Sequence, residues 1–452
     1  MEKQTRINKL YRETFITVIT IALPTMLEQI MSVLMQYVDT AMVGRLGATA
    51  TAAVSTSTTI TWLINSIPSA FGIGAMTLIA QAIGSGEERQ IKSIARQCLY
   101  FSLLVGGVLE VVCLLVYPHV ADWMGAEPDV APAATRYFFW ITVPVILRAF
   151  YVIFSSAIRA TKDTKTPMYI GIATNVMNVA LDYVFIYVLN LGVDGAAYAT
   201  CLSSVIGAIC MITAFFKNVY LRFNPLKLTF EADSFKSMWS MSLPLLGINF
   251  ASCLGYVVFA GLVSHMGTII FAAHSIALGA EELFYIGGYG FKSAANTMVG
   301  ISYGEQNHEK YHAVCVSSVI CTISVMTLSG VLLFIFAGPL MGFFTNDPQV
   351  IALGTVVLKM VAFNEPFFGL YIITEGIYYG LGQTRYPLYI EFIGMWVVRI
   401  STTYFFITMF NAGLTTVWAC MIADNVFKAI ALAIPTFSLW KRASLCIHED
   451  MK

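Results

Sequence analysis

Four side chains combine a chemistry and a spacing that stand out: Asp39, Asn178, Asp182 and Thr200. Together they offer two carboxylates, an amide and a hydroxyl, all within stretches otherwise poor in charge. Hard cations prefer such oxygen ligands. Two carboxylates facing each other repel, and the pair either shares a proton or recruits a cation. Asn175, Asn178 and Asp182 follow i, i+3, i+7 spacing, which places them on one face of a helix. This inventory suits reversible capture of Na⁺ or H⁺. The alternative is that the asparagines and Asp182 only knit helices together by hydrogen bonds. No nucleophile–base constellation or metal cluster accompanies them, so the chain does not read as an enzyme.

The elements that must position these groups follow from composition. Of 452 residues, 58% are hydrophobic and 12% charged, against about 25% charged in soluble domains. No Asp, Glu, Lys or Arg occurs from Leu46 to Gly86, or from Tyr311 to Asn346. Apolar runs of about 18 residues or more read as membrane spans. Charge, Gly and Pro punctuate the chain into twelve, near 15–42, 50–82, 94–118, 134–158, 167–189, 194–217, 237–263, 268–300, 312–338, 350–380, 387–410 and 412–440. A β-barrel needs short segments of strict alternation, and these runs are continuous. The fold class is therefore all-α, a polytopic membrane protein. Nucleic-acid binding, a secreted scaffold and an ordinary soluble enzyme are excluded as leading readings. The 26 basic and 26 acidic residues balance, and nine scattered cysteines show no CxxC spacing, so they read as small hydrophobes. The first apolar stretch, from near Phe15, is too long for a signal h-region and lacks a cleavage site.

Lys and Arg concentrate on alternate connections: Lys3, Arg6, Lys9 and Arg12; Arg89, Lys92 and Arg96; Arg159, Lys162 and Lys165; Lys217, Arg222, Lys227 and Lys236; and finally Lys441, Arg442 and Lys452. The intervening connections are nearly bare, with Arg45 the main exception. The positive-inside rule then places both termini in the cytoplasm, with the protein multi-pass in the plasma (inner) membrane.

The chain also repeats itself. Leu23-Pro24 recurs as Leu243-Pro244, Gly47 as Gly267, Pro128 as Pro348, and Thr164-Lys165-Thr166-Pro167 as Thr384-Arg385-Tyr386-Pro387, all at an offset of 220. Six spans per half give both halves the same direction through the bilayer. The expected arrangement is two six-helix bundles, 1–217 and 237–452, joined by a cytoplasmic linker at 218–236 and related by a pseudo-two-fold along the membrane normal, with a cavity between them. A transporter working by alternating access explains such duplication most economically. Two complete bundles need no partner, so a monomer is expected.

Duplication supplies an internal control. Asp39 has the counterpart Phe259, Asn178 and Asp182 have Val398 and Thr402, and Thr200 has Cys420. At 1.5 Å per residue, Asp39 lies about 8 Å from the turn at Gly44, and Asp182 and Thr200 about 10 Å from Leu189 and Val193. All three share one level in the outer half of the first bundle. Pro24 and Pro244 fall inside spans, where proline removes a backbone bond and permits a kink; bending of span 1 at Pro24 on ion binding and a static kink are both open.

Several motifs resemble the multidrug and toxic compound extrusion (MATE) family. They are Ala22-Leu23-Pro24, Val38-Asp39-Thr40, Val43-Gly44-x-Leu46-Gly47, the run Arg159 to Pro167, and Asn175-x-x-Asn178-x-x-x-Asp182. The resemblance covers nearly the whole chain. It implies a secondary active exporter that expels amphipathic, often cationic organic molecules in exchange for Na⁺ or H⁺, with no cofactor. It carries the cation or proton site onto Asp39, Asn178, Asp182 and Thr200. Another branch places coupling carboxylates on spans 7 and 10, where this chain has Ser252 and Phe368, so it resembles the branch that couples through its N-terminal bundle. Met35, Gln36, Tyr37, Asn175, Glu282 and Lys292 are candidates for the substrate-lining surface, Met-rich surfaces being adaptable. Other intramembrane ionisable groups, Glu28, Arg148, Glu281, Glu365, Glu375, Glu391 and Arg399, are functional candidates or structural pairs. His308 and His312 with Glu305 and Glu309 mimic a helical metal site, but their loop position reads as a solvated face. A lipid-linked or sugar-precursor flippase of the same wider superfamily is the alternative function.

Overall fold

The computed structural model describes residues 2–224 and 230–449, with side chains described over 6–224 and 230–436. Lys227 and Lys452 of the basic segments lie outside the described residues, as do the side chains of Lys3, Lys441, Arg442 and Cys446. In chain order the helices are α1 (Glu2–Gly44), α2 (Ala48–Ser85), α3 (Glu88–Trp123), α4 (Ala131–Thr142), α5 (Val145–Ala160), α6 (Lys165–Asp182) and α7 (Gly192–Lys217). There follow α8 (Ala232–Ser264), α9 (Thr268–Gly304), α10 (His308–Phe344), α11 (Pro348–Ala362), α12 (Glu365–Gly380), α13 (Arg385–Phe392), α14 (Thr402–Phe410) and α15 (Leu414–Glu449). Two π-helical segments, Tyr183–Val188 and Ile393–Ser401, continue α6 and join α13 to α14. Among the described residues no strand occurs. Helices are the economical solution here, because a backbone group in hydrocarbon must be satisfied within its own segment.

Ten helical stretches are long and apolar enough to cross a membrane, and two further spans are broken pairs, α4–α5 bent by 47° and α11–α12 bent by 54°. These twelve match the spans expected from the sequence. The breaks have a chemical cause. Proline lacks an N–H, and its ring clashes with the carbonyl four residues back; Pro144 sits at the first break and Pro366 opens the helix after the second. Pro24 behaves differently, since α1 runs unbroken through it. The repeat is visible in backbone geometry as well: Gly47 and its counterpart Gly267 precede α2 and α9 at φ +111 and +114, a region that glycine adopts without steric cost.

The repeat boundary and the packing boundary are different. Packing divides the chain into one compact unit of residues 27–246 and another of 1–26 with 247–452. Both divisions fall two or three residues beyond a helix-internal proline, Pro24 or Pro244. Within the second unit, Val18, Ile21 and Ala22 of α1 are buried against Phe291, Ala294, Ala295 and Met298 of α9. The close approach needs glycine: a Cβ on Gly290 would lie 2.8 Å from Met26 N and 2.9 Å from the Ala22 carbonyl. Within the first unit, Phe235 and Trp239 of α8 stack on Phe101 of α3. A second buried cluster joins Phe259, Ala277, Leu333, Val357, Val361 and Trp418 from α8 to α11 and α15, and Trp418 Nε1 donates to His274 Nδ1 at 3.2 Å.

Gly376 and Gly380 of α12 are one turn apart and face α9. A Cβ would lie 2.8 Å from the Lys292 carbonyl at the first and 2.8 Å from the Asn296 carbonyl at the second. Such small-xxx-small faces let membrane helices approach closely. Gly380→Val should therefore cost about 1–3 kcal/mol or more by overpacking. Gly107→Ala, where a Cβ meets nothing within 4 Å, should leave stability unchanged. Thermal unfolding of the two purified variants, followed by size-exclusion chromatography, checks this.

Candidate cation site

Three helices of the 27–246 unit carry the four sequence-predicted residues: α1 carries Asp39, α6 carries Asn178 and Asp182, and α7 carries Thr200. The structure brings Asp39 and Asp182 together, their carboxyl groups close enough to act on one another as charges and as hydrogen-bonding partners when one is protonated. Asp182 is completely buried. Both of its oxygens, Oδ1 of Asp39 and Nδ2 of Asn178 are buried without a hydrogen-bond partner. Asn178 lies one turn before Asp182 on α6. Thr200 is half-buried on α7, which packs along α6. Asn175, one further turn away, is half-buried too.

Asp182 is the last α-helical residue before the π segment Tyr183–Val188. A π turn widens the helix and re-aims side chains, and such insertions are frequent at functional sites. Its backbone is held from two sides. Tyr187 OH donates to the Met42 carbonyl of α1 at 2.8 Å, which ties the segment to the helix carrying Asp39. On α7, Gly195 presses against it; a Cβ there would lie 2.9 Å from both the carbonyl carbon and oxygen of Phe185.

Sequence reasoning missed Tyr137. It is buried on α4 and lies within electrostatic reach of both Asp39 and Asp182. An aromatic residue in an apolar run carries no distinguishing signal, although its place two turns before Pro144 does put it beside the broken span. Arg148 on α5 lies within reach of Tyr137 and donates to the Ile141 carbonyl at 3.4 Å. At the same break Glu110 of α3 accepts from Ile146 N at 3.2 Å, satisfying one N–H that the proline frees. Glu28 is accounted for structurally, since Arg159 Nη2 donates to its two carboxylate oxygens at 2.9 and 2.8 Å.

The lining candidates divide between the units. Met35, Tyr37 and Asn175 are half-buried and Gln36 exposed in the 27–246 unit. In the other unit Glu282 is half-buried, and Lys292 forms an ion pair with Glu375 at 2.5 Å beneath the rings of Tyr289 and Tyr379. In the histidine–glutamate pattern His312 Nδ1 pairs with Tyr11 OH at 2.6 Å, Lys310 binds both oxygens of Glu305, and His308 is exposed.

The 247–452 unit has Thr402 and Cys420 at the places of Asp182 and Thr200, and on α13, the π segment that follows it and α15 it holds a closed set of charges. Arg399 Nε donates to Asp424 Oδ2 at 2.9 Å; Lys428 Nζ lies 2.8 Å from Glu391 Oε2 and 3.1 Å from Asp424 Oδ2. Ser252 Oγ and Tyr371 OH donate to the two oxygens of Glu391. Two bases balance two acids, so this set is internally neutral. Among the described residues no Lys or Arg is bonded to Asp39 or Asp182, whose unpartnered oxygens contrast with this closed set.

An all-helical, twelve-span protein built from two repeats, with Asp39 and Asp182 brought together inside the first, has the architecture of a membrane transporter. The MatE family model matches residues 24–184 and again 244–405, and the chain belongs to that family. The two matches stand in the register of the internal repeat. The chain is 28% identical over 439 residues to the probable multidrug resistance protein NorM of Thermotoga maritima, covering 96% of this chain and 95% of that one. It is 23% identical to the uncharacterized transporter YisQ of Bacillus subtilis, covering 99% and 98%. Its fold matches the outward-facing conformation of a multidrug resistance MATE family transporter of the MOP superfamily with TM-score 0.90 at 20% identity, covering 96% and 98%.

If the carboxylate pair stores repulsion rather than knitting helices, removing one charge relieves it. Asp182→Asn is then expected to raise stability by roughly 0.5–2 kcal/mol, as substitutions at strained functional sites do. The check is thermal unfolding of the purified protein in sodium-free buffer at neutral pH. A fall in melting temperature would instead mark Asp182 as a helix-tying group.

Proposed function

We propose that the protein is a secondary active exporter of amphipathic, often cationic organic molecules, driven by Na⁺ or H⁺ entering through Asp39 and Asp182. The observation that carries this reading is the buried pair itself: facing carboxylates, three of whose oxygens lack a partner, with Asn178 one turn away and Thr200 on the adjoining helix. The names of the multidrug-resistance relatives support the substrate class.

The physics of exchange follows from charge. An ionised carboxylate in the bilayer centre costs about 3 kcal/mol on insertion scales, so the empty pair favours whatever state gives it water or a cation. Binding of one Na⁺ or H⁺ removes one of the pair's two negative charges and their mutual repulsion, and so weakens that preference. Antiport requires that the ion and the organic substrate oppose one another's binding, a coupling of typically about 1–3 kcal/mol. Entry of one positive charge gains about 2.3 kcal/mol per 100 mV of membrane potential. Alternating access then converts the ion gradient into net export. The basic residues on alternate connections support a plasma-membrane location with both termini cytoplasmic, and two complete repeats support a monomer as the working unit.

The test is efflux of a fluorescent organic cation from everted vesicles, comparing a Na⁺ pulse with a pH jump. Wild type should respond to one of them, and Asp39→Asn should lower the ion-driven rate at least tenfold, about 1.4 kcal/mol, at equal expression. Wild-type efflux in that variant would overturn the assignment of the site. No movement of any cation by wild type would favour a lipid-linked or sugar-precursor substrate instead.

A further inference from the structure

The second broken span carries a feature with no counterpart in the first. Glu365 is the first residue of α12, immediately after the bend, and is 1% exposed; Glu281 of α9 is 7% exposed. The two carboxylates act on each other as like charges. Oε2 of Glu365 and Oδ1 of the adjoining, buried Asn364 have no hydrogen-bond partner. Glu365 is 15 residues, about 22 Å, from the end of α12 at Gly380, deep within a hydrocarbon core about 30 Å thick. Discontinuous helices at that depth are where transporters place ion sites.

The repeat shows that the site is built rather than incidental. In the first repeat the carboxylate at the broken span comes from α3, where Glu110 accepts from Ile146 N. Its counterpart at an offset of 220 is Gly330 on α10, and the counterpart of Glu365 is Val145. The carboxylate has thus changed helices, and the glycine makes room for it: a Cβ on Gly330 would lie 3.1 Å from Glu365 Cβ. The counterpart of Glu281 is Thr61, a neutral residue whose hydroxyl donates to the Ser57 carbonyl.

The surrounding charges do not neutralise the pair. Arg399 acts on Glu281 from the π segment Ile393–Ser401 but is bonded to Asp424 and Asn425. On α15, Lys428 and Asp424 belong to the same balanced set. On α9, Lys292 is paired with Glu375 of α12, and Glu282 adds a further acid. On α11, Lys359 lies over the ring of Phe334. The part of α10 around Gly330 contributes no charged side chain. Among the described residues neither Glu281 nor Glu365 therefore has a base bonded to it.

We propose that Glu281 and Glu365 form a second proton-binding site, separate from Asp39 and Asp182, in which one of the two buried carboxylates carries a proton. The proton arrives from hydronium, leaving water, and departs to water by the reverse step. A proton suits the place better than a metal ion, because the pair is buried, and a proton needs a single carboxylate oxygen where a metal ion needs a shell of several ligands. The proposal goes beyond the exporter reading and stands whether or not Asp39→Asn abolishes efflux.

Infrared difference spectroscopy of the full-length protein in lipid nanodiscs, cycled between acid and alkaline buffer, reads the site directly. In an Asp39→Asn/Asp182→Asn background, one carboxylic-acid C=O band should still appear and disappear with pH. Adding Glu365→Gln should abolish it, and adding Glu281→Gln should shift or abolish it. Should Glu365→Gln fail to elute as a folded protein, Glu365→Asp should keep the band at a changed frequency and midpoint. A band unaffected by substitutions at either position would overturn the proposal, as would its absence from the double background. Either result would mean that Glu365 does not exchange a proton over that pH range.

Discussion

A lipid environment offers no hydrogen-bond partner and no counter-charge, and the arrangement of this protein depends on how each polar group copes with that constraint. Peptide groups meet it by staying within long helices. Where proline interrupts a helix, a neighbour supplies what is missing, as Glu110 does for Ile146 N. Charged side chains meet it by pairing: Glu28 with Arg159, Lys292 with Glu375, and the four-membered set around Arg399 and Lys428. Against that background the groups left unpaired are conspicuous.

Gene duplication built both halves on one plan, and function resides in their differences. The turn glycines Gly47 and Gly267, the helix-internal prolines Pro24 and Pro244 and the broken spans recur because every copy needs them to fold. The polar interiors do not recur. One unit places Asp39 and Asp182 together without a bonded base; the other fills the corresponding places with Phe259 and Thr402, and holds a balanced set around Arg399 and Lys428. A packing requirement common to both repeats would have kept the same residues in each. Divergence at these positions alone argues for a task that only one copy performs.

The division into compact units adds a mechanical element. Because the packing boundaries fall inside α1 and α8, just past Pro24 and Pro244, each of these helices has its two halves assigned to different units. The carboxylate Asp39 is carried on the part of α1 that lies beyond its proline. A proline-weakened hydrogen-bond ladder is where a long helix bends at least cost. Asp39 and the compliant point therefore share one element.

Much was legible in the sequence alone, for physical reasons. Hydrocarbon demands apolar runs of a set length, so twelve spans could be counted and all twelve appear. A constant offset of 220 exposed the duplication, and the comparison between copies singled out Asp39, Asn178, Asp182 and Thr200. Their types and depth are written in one dimension. Partnership is not. That Asp39 meets Asp182, that Tyr137 joins them, that Lys292 is engaged by Glu375 while Glu281 and Glu365 are left with each other, depends on which faces of separate helices meet. Helical periodicity specifies a face, but only packing against a neighbour, through contacts such as Gly195 on Phe185 or Gly330 on Glu365, decides what that face touches.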